Sequence, residues 1–187
     1  MEWRTQRRDT LQMTVLLGLG LLILRLVVGL TMAGHGAQKL FGWWGGSGMA
    51  GWTQVVGKLR IRPAAPFAWL AALSEFGGGL LFALGLLSPL GSLAITGTML
   101  VAIATVHWPN GFWNTKRGYE FNLTILASAI AAGLAGPGTY SLDQAFGLRL
   151  PAPVTFLVGI VAVVVGVAAM LALRGPKTTV QAKPQTT

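Results

Sequence analysis

The chain has 187 residues, 53% of them hydrophobic and 10% charged, with 26 Gly and a mean hydropathy of +0.63, a composition that excludes an ordinary soluble domain and belongs in a lipid bilayer. Fourteen Lys and Arg against five Asp and Glu give a net charge of +9, which in so apolar a chain reads as membrane-flanking charge and points away from nucleic acid. With no cysteine, disulfides, thiolate metal sites, iron–sulfur clusters and a thiol relay within the chain are excluded.

In chain order, the first apolar run is Leu11 to Ala33, which holds one charge, Arg25, and exceeds the roughly 20 residues that cross a hydrocarbon core. It is too long for a signal-peptide core, and Gly34-His35-Gly36 makes a poor cleavage site, so the run is expected in the mature protein. Ser47 to Ile61 sets Trp52, Val55, Val56 and Leu59 on one helical face and reads equally as an interfacial helix or a simple loop. Ala64 to Leu87 follows Pro63, carries one carboxylate, Glu75, and is the second span. Ser88-Pro89 marks a short turn into the third, Leu90 to Val106. Beyond a polar, aromatic stretch from His107 to Gly118, a fourth span covers Tyr119 to Leu134 and stops at Gly136-Pro137-Gly138. Val154 to Leu173 is uncharged and makes the fifth. The polar segment from Arg174 to Thr187 has little to bury and is expected to be disordered.

The expected fold is all-α, a polytopic membrane helical bundle in which short connections favour antiparallel neighbours. Five spans put Lys39, Lys58, Arg60, Arg62, Lys116, Arg117, Arg174, Lys177 and Lys183 on one side and Arg4, Arg7, Arg8 and Arg149 on the other. That excess places the long loops in the cytoplasm, whereas the three Arg ahead of the first span argue for keeping the N-terminus there. The two rules conflict and leave the orientation open.

Helix parity brings the connections after spans one and three to the same side. His35, Gln38 and Lys39 therefore share a face of the membrane with His107, Trp108, Asn110, Trp113, Tyr119 and Glu120. Trp43, Trp44, Trp108 and Trp113 read as an aromatic belt, and Lys39 as snorkelling, unless these residues border a site. Glu120 complements a helix N-terminus in one reading and serves as a proton partner in the other. Arg25 and Glu75 lie within spans, where charge is costly. Counted from Gly34 and Ala64 at about 1.5 Å per residue, both sit roughly 14 to 17 Å below the same face, close enough in depth that they could form an ion pair. The two residues then tie two helices together, supply a proton-accepting Glu75 to a pocket, or pair with something outside this chain. Gly77-Gly78-Gly79 has neither the strand nor the spacing of a phosphate loop and reads as close packing beside Glu75. Two histidines with no short ligand pair make a poor metal or haem set, and no metal site is expected.

Arg25-Leu26 with Gly29, the run from His35 to Gly42, Glu75 with Gly78-Gly79, His107-Trp108-Pro109-Asn110-Gly111-Phe112-Trp113, and Gly118-Tyr119-Glu120 together resemble the DoxX family. Gly136-Pro137-Gly138 with Ser141-Leu142-Asp143 resembles the close of its domain. The resemblance implies a four-helix protein of the bacterial inner membrane over residues 1–143, to which 144–173 add a further transmembrane helix and 174–187 a basic tail. It also implies a link to thiosulfate oxidation with quinone as acceptor, or to membrane complexes joining soluble redox and sulfur-transfer enzymes. Without cysteine, an anchor or quinone-side role suits this chain better than a sulfur-handling one.

Two functional readings follow. In the first, a redox-associated subunit encloses a quinone-like, lipid-soluble ligand. Its catalytic candidates are Glu75, His35, His107 and Glu120, and Arg25, Gln38, Lys39, Trp108, Asn110, Trp113 and Tyr119 bind the ligand. In the second, a non-catalytic scaffold docks soluble oxidoreductases at the bilayer. A small transporter ranks third, since the chain is short and shows no repeated halves.

Overall fold

Nothing in the local sequence stops the first helix at Ala33, because Gly34 and Gly36 sit in a run of good helix formers. In the computed structural model, which describes residues 2–148 and 150–175, helix α1 (Glu2–Phe41) continues eight residues past that point. Its 40 residues span about 60 Å, and Gly18 is the first buried residue among those whose side chains are described. Among the described residues six further helices follow: α2 (Gly48–Lys58), α3 (Ala64–Leu84), α4 (Ser88–Ala102), α5 (Glu120–Ala135), α6 (Leu142–Ala145) and α7 (Ala152–Ala172). Helix α4 runs on through a wider π-helical turn, Ile103–His107, and a 3₁₀ turn, Trp108–Asn110.

This is an all-α membrane helical bundle. Thr5–Phe41, Ala64–Leu84, Ser88–Asn110 and Pro153–Ala172 are long and apolar enough to cross a bilayer. The fourth of the five expected spans is shorter: α5 has 16 residues, about 24 Å. The chain ahead of it is spent on a loop, in which Gly118 lies against the backbone of Gly111 and Phe112 with no room for a side chain.

Small residues set the helix contacts, as expected where lipid gives apolar side chains no reason to pair and close backbone approach must supply the attraction. A Cβ on Gly29 would lie 2.6 Å from the Gly79 carbonyl oxygen and from Ala83 N, and Gly36 faces the Phe76 backbone in the same way. These contacts fix α1 antiparallel to α3. Gly91 against Phe82 and Gly78 against Ala94 set α3 on α4, and the Phe156 ring fills the notch at Gly133 to seat α7 on α5. The central core joins Met32, Phe82, Ile95, Met99, Ile125 and Ala129.

The stretch that reads equally as interfacial helix or loop is the helix α2, and of its apolar face Trp52, Val56 and Leu59 pack inside while Val55 is exposed. Val56 and Ile61 are buried with Ala68, and Trp52 Nε1 donates to the Ala68 carbonyl (3.1 Å). One end of the bundle gathers the C-termini of α1 and α7 with residues 59–63 and 107–119; the other gathers the α3–α4 turn and residues 136–148. At the first end Arg174 donates through Nε and Nη2 to the Leu59 carbonyl (3.0 and 2.8 Å), and Gly175 N to that of Arg60 (3.2 Å). The tail expected to be disordered thus begins with two bonded residues, while 176–187 lie outside the described residues.

Candidate functional site

Glu75 sits midway along α3, on the face that α1 covers, and is 5% exposed. Its partner is Lys39, whose ammonium donates to both carboxylate oxygens. Among the described residues this is the sole ion pair. The indole of Trp52 stands 4.2 Å from Lys39 Nζ and adds a cation–π contact. The ammonium is therefore held by a carboxylate on one side and an aromatic face on another.

The Arg25–Glu75 pair that the sequence allows does not form, and the cause is register. Because α1 runs to Phe41, Arg25 lies sixteen residues from its end, about 24 Å, whereas Glu75 lies eleven residues from the start of α3, about 17 Å. The contacts of Gly29 and Gly36 with α3 bring Lys39 level with Glu75 and Arg25 level with Gly85.

The Lys39–Glu75 pair opens onto a cavity of about 450 Å³ between α2, α3, α4 and α7. Its walls are otherwise almost wholly apolar, with Phe67, Leu70, Val101, Val167 and Met170 among them. Ser74, Thr98 and Thr105 also line it. The hydroxyls of Thr98 and Thr105 are spent inside α4, donating to the carbonyls of Ile95 (2.9 Å) and Val101 (2.7 Å). The wider turn at Ile103–His107 lies along this wall, and Thr105 and Val106 within it face the cavity. A volume in the usual ligand-pocket range, apolar walls and one charged pair make a site for a mostly apolar molecule with a polar head.

The remaining sequence candidates lie elsewhere. His35 is exposed on α1, edge-on to Phe121 with ring centroids 6.1 Å apart. Half-buried Gln38 packs under Gly46. His107 Nδ1 donates to the Arg117 carbonyl (2.8 Å), and Asn110 Nδ2 donates to the same oxygen (3.2 Å). Glu120 Oε2 accepts from Asn114 N (3.0 Å), Trp108 stacks on Tyr119 (5.2 Å), and Trp113 packs edge-on to Phe112. Parity did put these groups at one end, but His107, Asn110, Glu120 and the aromatic residues brace residues 107–120 and do not line the cavity.

Arg25, 2% exposed, belongs to the opposite end. Its Nη2 donates to the Tyr140 carbonyl and its Nε to that of Leu21 (3.4 Å), with the charge of Asp143 nearby. Asp143, also 2% exposed, accepts from Leu87 N (2.7 Å), Ser88 N (2.9 Å) and Ser88 Oγ (2.7 Å), which caps α4 from a distance in sequence.

Sequence reasoning named Lys39 and Glu75 separately but missed their pairing, the part played by Trp52, and the wall supplied by α7. The apolar residues of α7 give no signal by themselves, since every face of that helix is apolar. Residues 20–108 match the family model described as DoxX, a segment that holds Arg25, Lys39 and Glu75 and ends before α5 and α7. No curated protein and no solved structure matches the chain.

Proposed function

We propose, from the premise that residues 20–108 of this chain form a DoxX domain, that the protein is a redox-associated subunit of the bacterial inner membrane. In this reading its cavity takes a quinone-like, lipid-soluble ligand. The observation that carries it is the Lys39–Glu75 pair on the wall of an otherwise apolar cavity. A phospholipid keeps its charged headgroup at the membrane surface, whereas this polar pair lies well inside the bundle, so a head of low polarity fits better.

The Lys39 ammonium is a donor for a ring carbonyl oxygen, and Glu75 accepts and returns a proton. Reduction of a quinone to a quinol takes two electrons and two protons. A partner oxidoreductase supplies the electrons, and the pair handles proton delivery. Trp52 keeps Lys39 directed into the cavity. His35, His107, Glu120 and Arg25 have no part in this version of the site. The test is to purify the protein in mild detergent and extract its lipids for mass spectrometry. Stoichiometric quinone in the wild type, falling at least tenfold in Glu75→Gln and in Lys39→Met, is the expected result; phospholipid alone in the wild type would sink the reading.

A separate observation favours the scaffold reading. Lys58, Arg62, Lys116 and Arg117 are all exposed at the end of the bundle where α1 and α7 finish, and none is ion-paired among the described residues. Such a face suits an acidic soluble partner. Crosslinking in native membranes should then recover a stoichiometric protein, and its recovery should fall when these four are changed to Gln.

A further inference from the structure

Helix α7 lies outside the matched segment, yet it forms one wall of the cavity. It is seated at one end by Phe156, fully buried in the notch at Gly133, and by Gly159 against Leu93. At the other end Arg174 and Gly175 are tied to the carbonyls of Leu59 and Arg60, and Arg60 Nη1 returns a bond to the Gly175 carbonyl (3.0 Å). Between these anchors Val163, Gly166, Val167 and Met170 face the cavity, a spacing of three, four and seven that defines a single helix face.

The levels along the bundle can be read from contacts. A Cβ at Gly97 would lie 3.4 Å from Val163 Cγ1, which puts Val163 beside Gly97 and Thr98, and Gly78 against Ala94 puts Glu75 at the same height. Gly166 lies three residues further, about 4.5 Å, on the way toward Met170 and Leu59. Gly166 is exposed at the open rim of the cavity, and a Cβ built on it meets nothing within 4 Å. The polar pair therefore marks one level of the cavity, and the apolar space beyond it runs past Gly166.

We infer that Gly166 on α7 is a specificity-determining position, where the lack of a bulky side chain leaves room for the apolar tail of a ligand whose head meets Lys39 and Glu75. This rests on the reading of the cavity as a quinone-like site. Because lipid is as apolar as the cavity, a tail gains little from burial alone and is selected by shape; a side chain that fills the space excludes it. Substitution with Ala adds a Cβ in open space and leaves selection unchanged, whereas Phe occupies the tail's path.

The experiment measures binding of two probes to the full chain in lipid nanodiscs, corrected for empty discs. One is tetramethylbenzoquinone; the other is the same ring with a decyl chain in place of one methyl. Gly166→Phe is expected to weaken the decyl probe at least tenfold and the tailless probe less than twofold, with Gly166→Ala like the wild type and Glu75→Gln weakening both. Retained tailless binding by Gly166→Phe also shows that the variant is folded. If Gly166→Phe weakens neither probe, or both equally, while Glu75→Gln still weakens both, the inference about α7 falls and the quinone reading stands. If the wild type binds neither probe, both fall.

Discussion

The bundle buries ionisable groups at two levels, and it treats them differently. Around Arg25 and Asp143 the chain closes in: the carboxylate accepts three hydrogen bonds from the start of α4, and the guanidinium is bonded to carbonyls of Leu21 and Tyr140. A Cβ on Gly85 would collide with Arg25 Nη1, which fills the space beside that turn and is buried there without a hydrogen-bond partner. Around Lys39 and Glu75 the chain stands back, and the pair faces about 450 Å³ of unfilled volume. A charge whose bonds all go to its own fold is a fastener, whereas a charge left at the edge of a cavity can act on a guest.

This contrast is sharpest at Asp143. Asp143→Ala strips three donors of their acceptor and leaves Arg25 without its nearby negative charge, so a loss of about 3 kcal/mol or more is expected. Loss of monodisperse protein after detergent extraction would register it; a well-folded Asp143→Ala would show that this cluster is dispensable.

At the other pair the single change Glu75→Leu is expected to cost about 2 kcal/mol, because it leaves the ammonium unpaired. The double change Lys39→Met with Glu75→Leu should recover most of that stability without recovering ligand binding. A thermal-unfolding series alongside quinone extraction separates the two effects, and a double variant that binds normally would dissolve the distinction between fastener and site.

Smaller effects refine the picture. Leu87 precedes α4 in a left-handed conformation, φ 47° and ψ 47°, a region unfavourable to a residue with a Cβ by about 1 kcal/mol. Leu87→Gly should raise stability by about that amount and leave the cavity untouched. His107→Ala should cost about 1 kcal/mol or less, speed amide exchange in residues 107–120, and leave probe affinity unchanged; a tenfold loss of affinity would return His107 to the site.

Much of this arrangement is written in the sequence. Ala64–Leu87, Leu90–Val106 and Val154–Leu173 anticipate α3, α4 and α7 because continuous apolar runs with Pro and Gly at their ends are local signals. The pairing of Lys39 with Glu75 is not local. It depends on α1 passing through Gly34 and Gly36, and on Gly29, Gly36 and Gly79 choosing one register out of several. An error of seven residues in the helix end from which depth is counted moved Arg25 by about 10 Å and gave it the wrong partner. Asp143 was legible as part of a motif, but its bonds to Leu87 and Ser88 join positions more than fifty apart. The role of α7 was hidden, since an apolar residue facing a cavity looks the same in sequence as one facing lipid.

Helix α1 carries a last consequence. From Leu11 to Leu40 it presents thirty residues whose only formal charges are Arg25 and Lys39, both engaged inside the protein, with Gln12, His35 and Gln38 the larger polar groups, so its uncharged length is about 45 Å. Its neighbour α3, with 21 residues, offers about 31 Å. A flat membrane matched to α3 leaves Leu11, Met13, Leu16 and Leu17, all exposed, beyond its edge. The surrounding lipid must thicken or the helix must lean, and each remedy costs a fraction of a kcal/mol per Å of mismatch. Acyl-chain length thus becomes a variable to which this protein responds, and membranes of different thickness will sort it.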